Sequence, residues 1–279
     1  MNKILIGFLF ILAVAVPAAG QGNGSPLGSG NSVSLPIALP GGITGEVTVS
    51  FESVTGLTPV NLGISAQVVS PADPVLGARL PATVSIPSGF PVLVRIEPTP
   101  AGGLAFTGIA SIEIRASGLS NAEDTLRLLS APLGGYFADI TSSVKKATDL
   151  KWGTSYRAIG SEGGFSEFLI VVDSTSLDQA VGAKLDRLDH ILAANAGAIP
   201  EAVRADLAAD LAAARAHSLP GDEAAAIHDL DLFLATVEQH SGADIPDLWR
   251  AAHDRVDVAG LLRAGANTLQ FSLRLRQDQ

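Results

Sequence analysis

The feature that most constrains this chain is a change of period at Ser174. Over 32–173, short β-rich runs are separated by glycine and proline; beyond Ser174, apolar residues recur every three or four positions. In the first part Val47, Val49 and Phe51 alternate with Thr48 and Ser50, and Ile112 and Ile114 stand likewise against Glu113 and Arg115, so each run has one apolar face. Strands are expected over 46–51, 62–69, 82–86, 91–96, 108–116, 125–129, 136–140, 156–159 and 165–172. One-faced strands need a second sheet to cover them. The ten prolines from Pro36 to Pro100 have no N–H to give to a ladder and belong at strand ends, bulges and loops. These properties describe an antiparallel β-sandwich, and without an intervening helical pattern they exclude a doubly wound α/β fold.

After Ser174, Leu177, Val181, Leu185, Leu188 and Leu192 form a helical stripe with Ser176 as its cap and Gly197 as its stop. Pro200 and Glu201 open a second helix with Val203, Leu207, Leu211 and Ala214 on its apolar face. A third starts near Asp222, carries Ala226, Leu230, Phe233 and Val237, and stops at Ser241-Gly242. A fourth, shorter one is expected from Pro246 through Leu248, Trp249, Ala252 and Val256. Short connections make such helices antiparallel neighbours. At the end Leu269, Phe271, Leu273 and Leu275 alternate with polar residues, which predicts a strand that must pair with the earlier sheets to satisfy its backbone. The expected fold is therefore α+β, mainly β: an antiparallel β-sandwich, then a small antiparallel helical bundle, with a C-terminal strand returning to the sheet. The β-sandwich spans 32–173, the bundle 174–257, and the closing loop and strand 258–279.

Residues 1–20 read as a signal peptide: Lys3, an apolar run from Ile4 to Val16, then Pro17-Ala18-Ala19-Gly20. The run is too short to span a bilayer, and Ala18 and Gly20 are the small residues a signal peptidase accepts, giving Gln21 as the mature start. A flexible linker over 21–31, rich in glycine, serine and asparagine, follows. The expected localisation is export, secreted or periplasmic. Lys and Arg number 18 against 28 Asp and Glu, a formal charge of −10, which disfavours nucleic acid and anionic lipid as partners. There is no cysteine, so disulfides, thiolate metal sites and a lipidated cysteine anchor are excluded. No membrane span is expected in the mature form.

Leu185, Leu188, Leu207, Leu211, Ala214, Gly221, Ala226, Leu230, Phe233 and Val237 give the stretch over 185–245 a pattern that resembles the small helical FIMAH-type modules of secreted bacterial proteins. The sequence Val256-Asp-Val-Ala-Gly-Leu-Leu-Arg-Ala-Gly-Ala-Asn-Thr-Leu269 resembles the loop and closing strand of glycosidase-associated jelly-roll domains, which implies a tight turn before an edge strand and no catalytic residue. The whole resembles exported bacterial proteins of uncharacterised function.

Catalytic signatures are sparse. All five histidines lie in the helical half; Asp186 and His190 share a helix face, and with His228 they are the candidate metal ligands, although no His-Glu-x-x-His or Glu-x-x-His occurs. Ser142-Ser143-Val144-Lys145 has the Ser-x-x-Lys spacing but lacks its partner motifs and reads as a turn. Tyr136, Trp152 and Tyr156 gather both tyrosines and one of the two tryptophans in a short stretch and are the candidate ligand-binding residues, with a place at the sandwich core as the alternative. The expected function is a non-catalytic binding or interaction protein for a protein or glycan ligand, with no cofactor. The alternatives are a hydrolase using His and Asp from the helical half and a structural component of an envelope assembly. The leader reading makes a direct prediction: terminal sequencing of the exported protein should begin at Gln21, and retention of Met1 would refute it.

Overall fold

The computed structural model describes residues 30–121 and 123–279; the residues expected to be a signal peptide, and all but Gly30 and Asn31 of those expected to be a linker, lie outside the described residues. In chain order the strands are β1 (Ser32–Leu39), β2 (Ile43–Thr55), β3 (Ile64–Val68), β4 (Val84–Ser85), β5 (Val92–Ile96), β6 (Ala105–Ser117), β7 (Leu126–Ala131), β8 (Ala138–Asp139), β9 (Thr141–Asp149), β10 (Gly153–Glu162), β11 (Glu167–Asp173) and β12 (Trp249–Arg250). The helices are α1 (Pro59–Leu62), α2 (Pro74–Gly77), α3 (Leu177–Ala194), α4 (Glu201–Ser218), α5 (Glu223–His240) and α6 (Val258–Gln277). The architecture is α+β. One sheet runs β1-β2-β6-β10-β9 with β12 joined to β6, the other β3-β5-β11-β7-β8 with β4 joined to β11, and every described pairing of named strands is antiparallel.

Alternation does what the sequence implies in the first sheet. Val47, Val49, Ile112 and Ile114 are buried against Val92, Val94, Leu126, Leu128, Phe168 and Ile170 of the second sheet in one core. The second sheet is buried on both faces, because Leu93, Leu129, Leu169 and Val171 pack outward beneath Leu76, Ile86 and Phe137. Its central strands therefore read as near-continuous apolar runs rather than alternating ones. Glu167 is buried in this outer layer, held by ion pairs to Arg79 and to Arg95, the latter at 2.7 Å.

Helices α3, α4 and α5 follow the predicted stripes, and their apolar faces make a separate core that α6 completes. That last participant corrects the expected C-terminal strand. Val258, Leu262, Ala266, Leu269 and Leu273 form a stripe at steps of four and three, all buried in the bundle, and Asp257 caps the start through Gly260 N–H. Over so few residues a period of two and one of 3.6 select overlapping positions, and 268–276 contains only one β-branched residue, Thr268, so helix propensity decides. The jelly-roll resemblance falls on this helix and is not a loop and strand. The expected fourth helix is likewise absent. Trp249 instead pairs with Phe106 as β12 and its ring stacks on that of Phe106 at 5.2 Å and meets Phe165 edge-on at 5.1 Å, a packing gain that outweighs a helical turn, while His253 turns the chain at φ 55°. The stretch 142–145, expected as a turn, lies in β9, where residues three apart face opposite sides and the Ser142–Lys145 pair does not converge. Ser142 Oγ instead donates to Ile159 O at 3.2 Å.

The helical assignment separates two leucines that a strand would treat alike. Leu269→Ala should cost about 2–5 kcal/mol in denaturant unfolding, whereas Leu275→Ala, on the half-exposed side, should cost less than about 1.5 kcal/mol; equal losses would contradict the helix.

Candidate functional site

Helix α6 lies along β6, β9 and β10, and the seam between bundle and sheets is polar. Lys184, buried on α3, donates from Nζ to Asp139 Oδ2 at 2.6 Å, to Ser272 Oγ at 2.8 Å and to Thr268 O at 3.0 Å. Three acceptors match the three hydrogens of an ammonium. Burial pushes Lys184 down, opposed by the Asp139 charge; burial pushes Asp139 up, but the Lys184 ammonium and the Thr141 hydrogen bonds hold it below its ordinary value. Arg127 extends the network, with Nε 3.9 Å from Asp139 and its guanidinium 5.6 Å from the Phe271 ring. Nearby, Glu162 accepts from Ser130 and faces Arg187 at 3.8 Å, and burial raises its pKa against the pull of both.

Above this joint a cleft of about 480 Å³ opens between the end of β11, the start of α3, the residues before β7 and the end of α6. Its walls carry the hydroxyls of Thr125, Ser174, Thr175 and Ser176, the carboxylates of Asp124, Asp173, Asp178 and Asp278, and two guanidinium groups, Arg127 and Arg276. Both arginines are held. Arg127 donates to Asp124 O and Leu126 O at 2.7 and 2.8 Å, and Arg276 donates to Glu223, Asp178 and Ser218 O at 2.5, 2.9 and 2.8 Å. Asp173 Oδ1 accepts from Thr175 N–H at 2.8 Å. Asp124 and Asp278 are exposed and carry no ion pair among the described residues. The cleft thus presents hydroxyls and carboxylates in excess over cations, a lining that accepts hydrogen bonds from hydroxyl and amine groups.

The candidate residues fall elsewhere. Tyr136 is exposed in the connection between β7 and β8, Trp152 is half-buried beside the β9–β10 turn, and Tyr156 is buried in the sandwich core. Tyr156 Oη donates to Asn121 O at 2.8 Å, the core placement weighed as its alternative. The Trp152 ring faces the Arg115 guanidinium at 5.0 Å and the Lys151 ammonium at 4.8 Å. The proposed metal ligands are not brought into a site: Asp186 pairs with Arg215 at 2.9 Å, His190 and His228 are exposed, and among the described residues no group of three or more His, Cys, Asp or Glu could hold a metal ion. Sequence reading missed the cleft because its walls come from three distant segments. Lys184 did leave a trace, as a cation inside the Val181–Leu185–Leu188 stripe.

A buried carboxylate, Asp257, sits where α6 meets β6, beside the half-buried Asp247. The Asp257 side chain is fully buried; Oδ1 accepts from Gly260 N–H at 2.7 Å, and Oδ2 has no hydrogen-bond partner. A side chain at Gly260 would strike this carboxylate and Gly108 O. Asp247 accepts from Gly108 N–H and Ser241 Oγ, both at 2.7 Å. Burial, opposed by Gly260 N–H and reinforced by Asp247, pushes Asp257 up to about 8, so it is a neutral carboxyl at pH 7. Its folded pKa lies above the ordinary value of 3.8, so its contribution to stability is complete below that value and is lost as pH rises through about 8. Compared by denaturant melts across this range, the wild type should lose up to about 1.4 kcal/mol per pH unit relative to Asp257→Asn; parallel profiles would contradict the assignment.

Comparison with known families matches the chain to DUF6689, a family of unknown function, over residues 11–277. No curated protein matches the chain. The match supports neither the FIMAH-type nor the jelly-roll resemblance. Since it covers nearly the whole sequence, the chain belongs to the DUF6689 family of unknown function.

Proposed function

We propose that this is an exported, non-catalytic binding protein whose ligand site is the cleft at the seam between sheets and bundle, and that the ligand is a hydroxyl- and amine-bearing oligosaccharide. The observation that carries this reading is the lining itself: around about 480 Å³ both arginines are engaged, the hydroxyls of Ser174, Thr175 and Ser176 are bonded to Thr83 and to Gln179 N–H, and of four carboxylates Asp124 and Asp278 stand exposed outside any ion pair among the described residues. Acceptor-rich walls suit a ligand that brings its own donors. None of the five histidines lines the cleft, so a hydrolase built on histidine and aspartate from the helical half would lack its histidine there. The apolar leader read in the sequence supports work outside the cytoplasm.

Calorimetric titration with a glucosamine tetrasaccharide, using cellotetraose as the uncharged reference, tests the reading. Saturable binding is expected, tighter for the amine-bearing sugar. Asp124→Ala with Asp278→Ala, at exposed positions without ion pairs, should weaken it by roughly tenfold, the loss expected for charge-assisted hydrogen bonds. No saturable binding to either sugar, or unchanged affinity in the double variant, would refute the site.

A further inference from the structure

The chain has five lysines. Of the four that are described, Lys184 is buried in the seam and the other three, Lys145, Lys146 and Lys151, are exposed on the β9–β10 hairpin. Leu150 stands at the tip of that hairpin with 108 % relative exposure, and Trp152 is beside it. The register sets cations side by side: Arg157 lies opposite Lys145 on β9 and opposite Arg115 on β6. Carboxylates answer part of this charge, with Asp149 on Arg115, Glu113 3.5 Å from Arg157 and Glu46 3.9 Å from Lys151. Lys145 and Lys146 make no ion pair among the described residues, although the Glu123 carboxylate accepts from the Lys146 backbone N–H at 3.0 Å; the Lys146 ammonium lies 5.8 Å from the Tyr156 ring.

Like charges opposite one another weaken a sheet. The position of β9 at the sheet edge accounts for some of them, since edge lysines deter pairing with other strands. It does not account for an apolar residue at the tip, where turn chemistry favours small polar ones. We infer that the β9–β10 hairpin docks the protein edge-on on an anionic bilayer surface, with Leu150 entering the interfacial layer, Trp152 at headgroup level beside Lys151, and Lys145 and Lys146, which project from opposite faces of β9, flanking that edge against the phosphates. Lysines near such a surface each favour binding by roughly fivefold, and tryptophan is enriched at that depth. The net charge of −10 does not oppose this locally, because charges beyond about 8–10 Å are screened at physiological salt. The tip leucine is what favours lipid over a soluble polyanion, which offers it nothing to enter.

Sedimentation of the exported protein with vesicles of equal parts phosphatidylglycerol and phosphatidylcholine, against vesicles of phosphatidylcholine alone, tests the inference. Binding is expected to the anionic vesicles only, with a blue shift in tryptophan emission. Lys145→Glu with Lys146→Glu should weaken it by more than about tenfold, and Leu150→Asp should abolish the shift; all three sites are exposed, and far-ultraviolet circular dichroism confirms folding. No binding to anionic vesicles, or undiminished binding by either variant, would overturn the inference. Equal retention of wild type and Leu150→Asp on polyglutamate and on vesicles would identify a general polyanion surface and overturn it too.

Discussion

One buried lysine holds the two halves of this molecule in register. Lys184 reaches from α3 to a carboxylate on β8 and to two acceptors on α6, and Thr268 Oγ1 on the same helix donates to Thr141 O at the start of β9 at 2.8 Å. Each contact is directional, so bundle and sheets have one mutual placement in which all of them are met. A buried ion pair of this kind adds little net stability, because the desolvation of both charges offsets their attraction. Its effect is on uniqueness: any sliding of α6 along the sheet would strand an ammonium or a carboxylate without partners, at a cost of several kcal/mol.

The polarity of the seam follows from how the apolar surface is divided. The sandwich closes one core between its sheets and the bundle closes another among its helices, so relatively few apolar side chains remain to join them. With no cysteine to staple the halves, the seam is held by Lys184–Asp139, by Glu162 with Ser130 and Arg187, by Arg263 with Glu52 at 2.7 Å, and by Asp247, which accepts from Gly108 N–H at 2.7 Å. The cleft is where this joint reaches solvent. Arg127 belongs to both, its guanidinium lying close to Asp139 while it lines the cleft, which ties the shape of the cleft floor to the docking of the helices.

Much of the secondary structure was legible because burial is one-sided. Val47 and Val49 alternate since only one face of β2 meets a core, and Leu185, Leu188 and Leu192 fall into a stripe for the same reason. Legibility failed where two patterns coincide or where the decisive partner is remote. Leu269, Phe271, Leu273 and Leu275 fit two periods at once, and only the buried series from Val258 through Ala266 settles the choice. Trp249 looks helical beside Leu248 and Ala252 until Phe106 and Phe165 provide a slot for its ring. The metal reading of Asp186 and His190 rested on one shared helix face. Its third ligand, His228, lies on another helix that only packing could bring near, and packing instead paired Asp186 with Arg215 and left both histidines exposed.

Composition misleads about this surface in one instructive way. A charge of −10 describes a sum, while binding responds to potential within about a Debye length. The arginines are largely committed internally: Arg79 and Arg95 to Glu167, Arg127 to backbone carbonyls, Arg215 to Asp186 and Asp189, Arg263 to Glu52, Arg276 to Glu223 and Asp178. The lysines are few, and the described ones outside the seam are concentrated on one hairpin. An acidic protein can therefore present a cationic edge, because the planar guanidinium serves fixed geometry inside the fold while the flexible, strongly hydrated ammonium is left at the surface. The same division puts an acceptor-rich cleft and a donor-rich hairpin on one chain, two surfaces of opposite character that a single net charge averages away.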